Sequence, residues 1–432
     1  MDKDMKHLLA KKDSVNDLKD FMSKSKGRSF HQRLKMFDGF LQSVNKDCRH
    51  TYGRTILSET DREVIIKDPF TGKTRKLIMF ASNNYLGFAG HRYVKTKVKD
   101  AIDKYGAGIA GPPLLNGYTN LMRELEERLA GLKEKESAMI FSTGYSANLG
   151  IVTALANQND MVIYDELSHA SFLDAIRMAH VDAAGFGHNN LEQLLSLCES
   201  NKHKYKNLFL GIEGVYSMDG DLAPLDRIMP ISKKYNAVIM LDDAHGTGIL
   251  GDRGSGTAEH FSCCQDIDIS IGTFSKVFAL TGGFVAADRD IIQYLKYFAR
   301  PYMFSASLPP PTLAGVLAGL DLIEKEPSLR EQLKHNVNYA TKKLAHVEFF
   351  QAPEAAIISI KIPERIHIRK LNLFLHQKGL FLNAIEYPAV PKDQQRLRIS
   401  IMANHTEDDL DFLSDSLEEA FHYKNCMKSS KC

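Results

Sequence analysis

Five short apolar runs, each of strand length and each succeeded at once by polar residues, constrain this chain more than any other feature. They occupy residues 138–141, 161–164, 208–212, 237–241 and 267–271, and segments of helical spacing separate most of them. A strand buried on both faces reads as a continuous apolar run, whereas a half-exposed strand alternates. The runs therefore predict an α/β fold with a mostly parallel sheet and helices on both faces. In such a sheet, ligands bind beyond the carboxyl ends of the strands. The residues just past each run are chemically varied: Ser142-Thr143-Gly144-Tyr145-Ser146, Asp165 to His169, Glu213 to Ser217, Asp242 to His245, and Thr273 to Lys276. One polar cluster would be an ordinary loop. Five in succession should converge on a single site.

The rest of the chain frames this sheet. Residues 1–60 carry apolar spacing at Phe30, Leu34, Phe37, Phe40 and Leu41, which predicts one or two helices docked on another surface. Residues 63–66 and 77–80 predict a hairpin around Gly72, leading into Ser82-Asn83-Asn84-Tyr85-Leu86-Gly87. Leu121, Leu125, Leu129 and Leu132 form a helical stripe with Thr119 or Asn120 as its cap. Past Arg300, prolines 301 and 309 to 311 punctuate a junction. Helices over 313–326 and 331–344, strands at 356–360 and 397–401, and a helix over 408–421 then predict a smaller α+β domain. The expected organisation is an N-terminal helical segment (1–60), a large α/β domain (61–302) and a small C-terminal domain (303–432), in keeping with 432 residues.

Composition excludes several classes. A net charge of +2 gives no bulk attraction to nucleic acid or an anionic membrane. No apolar run reaches membrane-spanning length, and the charged start Met1-Asp2-Lys3-Asp4 lacks a signal-peptide core. The six cysteines (48, 198, 263, 264, 426 and 432) lack the paired spacing of a zinc or redox site. A cytoplasmic protein with free thiols, no metal, no transmembrane segment and a frayed tail over 427–432 is expected.

Within the strand-end series, Lys276 lies between the run at 267–271 and the subsequent Gly282-Gly283-Phe284-Val285-Ala286, hence in a turn between two strands. Most loop lysines are merely solvated. The alternative is an amine held neutral to form a Schiff base, which requires lowering its pKa from about 10.4 to roughly 7–8. The neighbouring clusters supply the reason, because they match the needs of pyridoxal phosphate. Ser142, Gly144 and Tyr145, in the Ser-Thr-Gly-Tyr-Ser stretch, can offer N–H groups and hydroxyls to a phosphate at a helix start. Asp242 can keep the ring nitrogen protonated, and His169 or Tyr145 can stack on the ring. Singly, these are a helix cap, a structural histidine and a turn; together with Lys276 they favour the cofactor.

Two stretches match GxGxxG, at 106–111 and 246–251. Neither both follows a strand and opens a helix, so neither is a dinucleotide fingerprint, and both read as flexible backbone over a ligand. An oxidoreductase reading loses its support.

With these residues assembled, the chain resembles the α-oxoamine synthases, pyridoxal-phosphate enzymes that join an amino acid to an acyl thioester with loss of carbon dioxide. The stretches that carry the resemblance are Ser82 to Gly87, Asp165-Glu166-Leu167-Ser168-His169-Ala170-Ser171, Glu213-Gly214-Val215-Tyr216-Ser217-Met218-Asp219-Gly220-Asp221, Asp242-Asp243-Ala244-His245-Gly246, Gly272 to Lys276, and Arg396-Leu397-Arg398-Ile399-Ser400. It spans about residues 60 to 420. The resemblance implies the aspartate-aminotransferase-like fold (fold type I) and a homodimer with active sites at the interface. It makes Lys276 the Schiff-base lysine, His169 the stacking group, Asp242 the partner of the ring nitrogen and His245 that of the ring hydroxyl. It adds Thr273 and Ser275 as phosphate ligands, Ser217 as a cofactor contact, and Asn84, Tyr85 and Arg398 as substrate contacts, Arg398 clamping the amino-acid carboxylate. Ser275, Gly282 to Val285, Phe304 to Pro310 and Met402 to Thr406 look more like the serine palmitoyltransferases than the biotin-pathway synthases. L-serine with acyl-CoA or an acyl carrier is the first expectation; alanine (8-amino-7-oxononanoate synthase) or glycine (glycine C-acetyltransferase) is the alternative. A non-catalytic partner subunit is disfavoured by Lys276. Pro112-Pro113 departs from the Ser-Arg of many relatives near the substrate entrance, which bears on the acyl donor.

Overall fold

The structure, a computed structural model, describes residues 18–46 and 51–422. Cys48, Cys426, Cys432, the first seventeen residues and the tail at 427–432 lie outside the described residues. Two compact units are present: Asn83–Lys334, and the residues up to Ser82 together with those from His335 onward. These boundaries differ from those expected at 60 and 302, and pairing explains why. The hairpin strand Thr74–Met79 hydrogen-bonds in parallel to Leu380–Phe381, and the Phe80 carbonyl accepts from Ser400 N–H at 2.9 Å. The hairpin therefore belongs with the C-terminal elements. Helix Pro310–Lys325, in contrast, packs on Arg92–Tyr105 and joins the larger unit.

The larger unit is built on seven strands: β1 (Ser137–Phe141), β2 (Met161–Asp165), β3 (Asp182–Phe186), β4 (Leu208–Glu213), β5 (Val238–Asp242), β6 (Ile269–Thr273) and β7 (Gly283–Ala287). Their order is β1-β7-β6-β5-β4-β2-β3, parallel except for β7, which runs antiparallel to both neighbours. All five apolar runs are strands of this sheet. β4 is buried along its whole length, as a run without alternation requires. β3 carried no such signal. Its Asp-Ala-Ala-Gly-Phe is largely exposed, and its pairing with β2 alone makes it a strand.

Helices α1 (Gly144–Leu155) and α2 (Ala170–Ala179) come directly after β1 and β2, pack against each other, and start at the carboxyl edge of the sheet. The stripe through Leu125 and Leu129 lies on helix Asn120–Leu132, where Thr119 Oγ1 accepts from Met122 N–H as the cap.

In the smaller unit, Arg396–Ser400 is the central strand between Ile357–Lys361 and Asn383–Ile385, and helices Ile368–Lys378 and Glu407–His422 accompany them. Helices Leu18–Ser25 and Phe30–Lys46 pack on each other through Phe21 and Phe37, whose rings are 5.2 Å apart. They meet the same unit through Asp20 and Lys392. Cys198, Cys263 and Cys264 are buried and unbridged. Among the described residues no helix is long and apolar enough to cross a membrane.

Candidate active site

The register of β7 creates the site. Gly283 pairs with both Phe141 and Thr273, so the carboxyl ends of β1 and β6 are level on either side of it. A Cβ on Gly283 would meet Gly144 N at 2.6 Å and Gly144 Cα at 2.7 Å. Only glycine lets the start of α1 approach this closely. Thr143 caps α1, its Oγ1 accepting from Ser146 N–H at 2.9 Å. In the turn between β6 and β7, Thr273 Oγ1 donates to the Gly282 carbonyl at 2.9 Å and lies 2.9 Å from Ser275 Oγ.

A cavity of about 270 Å³ opens at this edge. Its wall brings together Gly144 and Tyr145 from α1, His169 from the start of α2, Ser217 from beyond β4, Asp242 from the end of β5 and His245 from the turn after it, and Thr273, Ser275 and Lys276. Tyr85 stands behind His245, its hydroxyl 2.7 Å from His245 Nδ1. Ser142 and Asn84 are not on the wall. Ser142 Oγ pairs with Ser146 Oγ at 3.2 Å, and buried Asn84 accepts from Ala89 N–H at 3.1 Å. Arg398 belongs to the smaller unit, where it is buried and donates to Ser400 Oγ at 3.2 Å. The Tyr145 hydroxyl is directed to Asp174.

Hydrogen bonds set the charges around the cavity. Asp242 accepts from Asn148 Nδ2 at 2.7 Å and from Ala244 N–H at 3.1 Å, which fixes the orientation of its carboxyl group at the cavity. The same Asn148 amide donates to Ser171 Oγ at 2.9 Å, and Ser171 Oγ lies 2.7 Å from His169 Nδ1. Because the Ser171 backbone N–H also points at that nitrogen, Nδ1 is an acceptor and the ring proton sits on Nε2. The surrounding protein lowers the His169 pKa by desolvation, with Asp242 opposing and Lys276 reinforcing. Burial raises the Glu213 carboxyl well above the usual range, and Asp242 adds to this.

With that geometry in view, the relatives are informative. The chain matches aminotransferase class I and II over residues 75–417. It belongs to that family. Serine palmitoyltransferase of Bacteriovorax stolpii is 38% identical over 351 residues, 81% of this chain and 84% of that one. A putative 8-amino-7-oxononanoate synthase of Acetivibrio thermocellus is 39% identical over 345 residues, 79% and 88% of the two chains. The solved structure of SPT with PLP as the internal aldimine superposes with a TM-score of 0.82 at 30% identity, covering 91% of this chain and 98% of that one. Within the aminotransferase family the chain is therefore an α-oxoamine synthase, an acyltransferase that uses pyridoxal phosphate.

The residues of this family member fit the cofactor. The start of α1 faces the cavity with N–H groups suited to an anion, and Gly144 keeps clear the space that a Cβ would fill at 3.0 Å from Thr273 Cβ. A hydrogen-bonded carboxylate, a histidine face and an amine share the same wall.

Three elements of the site had no role assigned from the sequence. Asn148 is an amide in a mostly apolar helix, one turn beyond Gly144, and that is its only signal in the sequence. Glu213 opens the third polar cluster. Lys133 had no signal: its Nζ donates to Asp243 Oδ2 at 2.8 Å across 110 residues of sequence, forming a buried ion pair directly behind Asp242. Gly246, the first residue of the second glycine stretch, and Gly256, beyond its end, close around this pair. A Cβ on Gly246 would fall 2.1 Å from Asp243 Oδ1 and one on Gly256 1.7 Å from Asp243 Oδ2. Both glycines thus accommodate a carboxylate of the protein itself, and for Gly246 this replaces the ligand expected over that stretch.

Proposed function

We propose that this α-oxoamine synthase condenses L-serine with a long-chain acyl thioester, releasing carbon dioxide and the free thiol and giving an α-amino ketone. The observation that carries this reading is the convergence of Lys276, Asp242 and His169 on one cavity wall beside the phosphate-competent start of α1. Bound there, pyridoxal phosphate supplies an aldehyde for amines and a ring that stores the electron pair left at the substrate α-carbon.

The protein's own groups do the rest. The Gly144 end of α1, Thr273 and Ser275 hold the phosphate. Asp242, oriented by Asn148 and Ala244 N–H, holds a proton at the ring nitrogen. His169 covers the ring face in its Nε2–H form, and His245, backed by Tyr85, meets the ring hydroxyl. Lys276 is the amine that takes the α-proton and returns one at the close of the reaction. Arg398 has the planar fork to grip a carboxylate with two parallel hydrogen bonds, orienting the bond that loses carbon dioxide. A homodimer in the cytoplasm suits this reading. Leu115, Tyr297 and Phe304 surround an apolar groove on the larger unit and are 82, 64 and 68% exposed, a surface that a second copy would cover.

Alanine is the second reading, carried by the 8-amino-7-oxononanoate synthase relatives. The decisive experiment is spectral titration of the yellow protein with serine, alanine and glycine, and then turnover with acyl thioesters of graded length. Serine should shift the visible band and support release of carbon dioxide; a response to alanine or glycine alone refutes the serine assignment. The band should vanish in Lys276→Ala, and a colourless wild type would refute the catalytic scheme.

A further inference from the structure

Glu213 and Asp242 end neighbouring parallel strands and are register partners. Such strands lie about 4.8 Å apart, and paired residues point to the same face; both side chains line the cavity. Two carboxyl groups so close at a buried edge cannot both ionise freely, and their hydrogen bonds decide which keeps the proton. Asp242 receives two donors. Glu213, 4% exposed, receives the Ser217 N–H on Oε2 at 3.3 Å, while its Oε1 has no hydrogen-bond partner among the described residues. An anion here would leave that buried oxygen without a well-aligned donor. A carboxylic acid carries its hydrogen on Oε1 and presents it to the cavity. The charged and titratable groups that share the wall are Tyr145, Asp242, Lys276, His169 and His245; burial and Asp242 favour the neutral acid, and the Lys276 amine and the backbone N–H groups of Ser217 and His169 oppose it without outweighing the burial.

Strand order indicates what this donor meets. The phosphate cradle lies on the β1, β7 and β6 side of Asp242, and Glu213 on β4 lies on the other. In pyridoxal phosphate the phosphate arm and the ring hydroxyl likewise project from opposite sides of the axis through the ring nitrogen. We propose that Glu213 is a neutral carboxylic acid whose Oε1–H donates to the ring hydroxyl oxygen of the bound cofactor, beside Asp242 at the ring nitrogen. This rests on the reading of the cavity as the cofactor site.

Infrared difference spectra of the holoenzyme, wild type against Glu213→Gln, test it directly. The wild type should show the carbonyl stretch of a protonated carboxylic acid at neutral pH, shifted in heavy water and absent from Glu213→Gln. Glutamine keeps a neutral donor, so cofactor affinity and the pH midpoint of the visible band should stay close to wild type. Glu213→Leu, lacking the donor, should bind the cofactor about 10- to 100-fold more weakly and move that midpoint. Absence of the acid band, or Glu213→Gln binding as poorly as Glu213→Leu, overturns the proposal. A wild type that takes up no cofactor overturns instead the reading of the site beneath it.

Discussion

Replacing Lys133 by Met tests how far the catalytic edge depends on charge buried behind it. Lys133 comes just after the last turn of helix Asn120–Leu132, with its side chain 4% exposed. Its ammonium donates to Asp243 Oδ2 and to Thr247 Oγ1, both at 2.8 Å, and to the Ser255 carbonyl. Asp243 is fully buried and accepts in addition from Thr257 Oγ1 at 2.6 Å and Thr257 N–H at 3.2 Å. Methionine fills similar space without the charge, leaving a buried carboxylate uncompensated, which costs about 3–5 kcal/mol. The Thr257 donors remain, so the lower end, about 3 kcal/mol, is expected. That is a large share of a typical total of about 5–15 kcal/mol. Urea denaturation of the full-length protein, monitored by circular dichroism, measures it as a fall in midpoint at constant slope. Asp243→Asn in the Lys133→Met background should then cost far less than in wild type, giving a coupling of at least about 1 kcal/mol. Loss of under about 1 kcal/mol in Lys133→Met, or strict additivity, would refute the reasoning.

The geometry carries three further expected outcomes. His188 faces Asp165 through Nδ1 at 3.1 Å and Asp221 through Nε2 at 2.8 Å; burial alone would lower its pKa, but these carboxylates outweigh it and raise the value to about 10. The folded state therefore holds a proton that the unfolded chain releases near about pH 6.5. This contribution is complete below that pH and declines as pH rises to about 10, so urea midpoints should fall across the window in wild type and flatten in His188→Gln; parallel slopes would count against the imidazolium. Asn148→Ala removes a charge-assisted bond of about 1.5–3 kcal/mol to Asp242, and equilibrium dialysis should show about 10- to 100-fold weaker cofactor retention; unchanged retention would show that Asp242 is oriented without it. Gly283→Ala forces a Cβ into the backbone of Gly144, destabilising by about 1–3 kcal/mol and displacing the α1 start. Phosphate-competition titrations should then show weaker anion binding, and a wild-type response would exclude that contact as the organiser of the cradle.

The amino-acid order by itself determined the buried strands of the sheet and their chemistry-bearing edge, because fully buried strands must be continuously apolar and the residues beyond their carboxyl ends must be loops; the exposed edge strand β3 it left unmarked. Lys276, Asp242, His169, Gly144 and Thr273 were legible for that reason: each sits within a few residues of a run that reads as a strand. Tertiary structure alone decided what is long-range or cooperative. It turned Ser142 and Asn84 to local hydrogen bonds away from the cavity wall, and joined the 74–79 strand to 380–381 across three hundred residues. Lys133 was brought to Asp243, and the glycines at 246 and 256 were given a carboxylate to fit around. The protonation of Glu213 belongs to this class as well. A glutamate in a sequence is an ordinary acid, and only its burial at the end of β4, in register beside Asp242, raises its affinity for a proton.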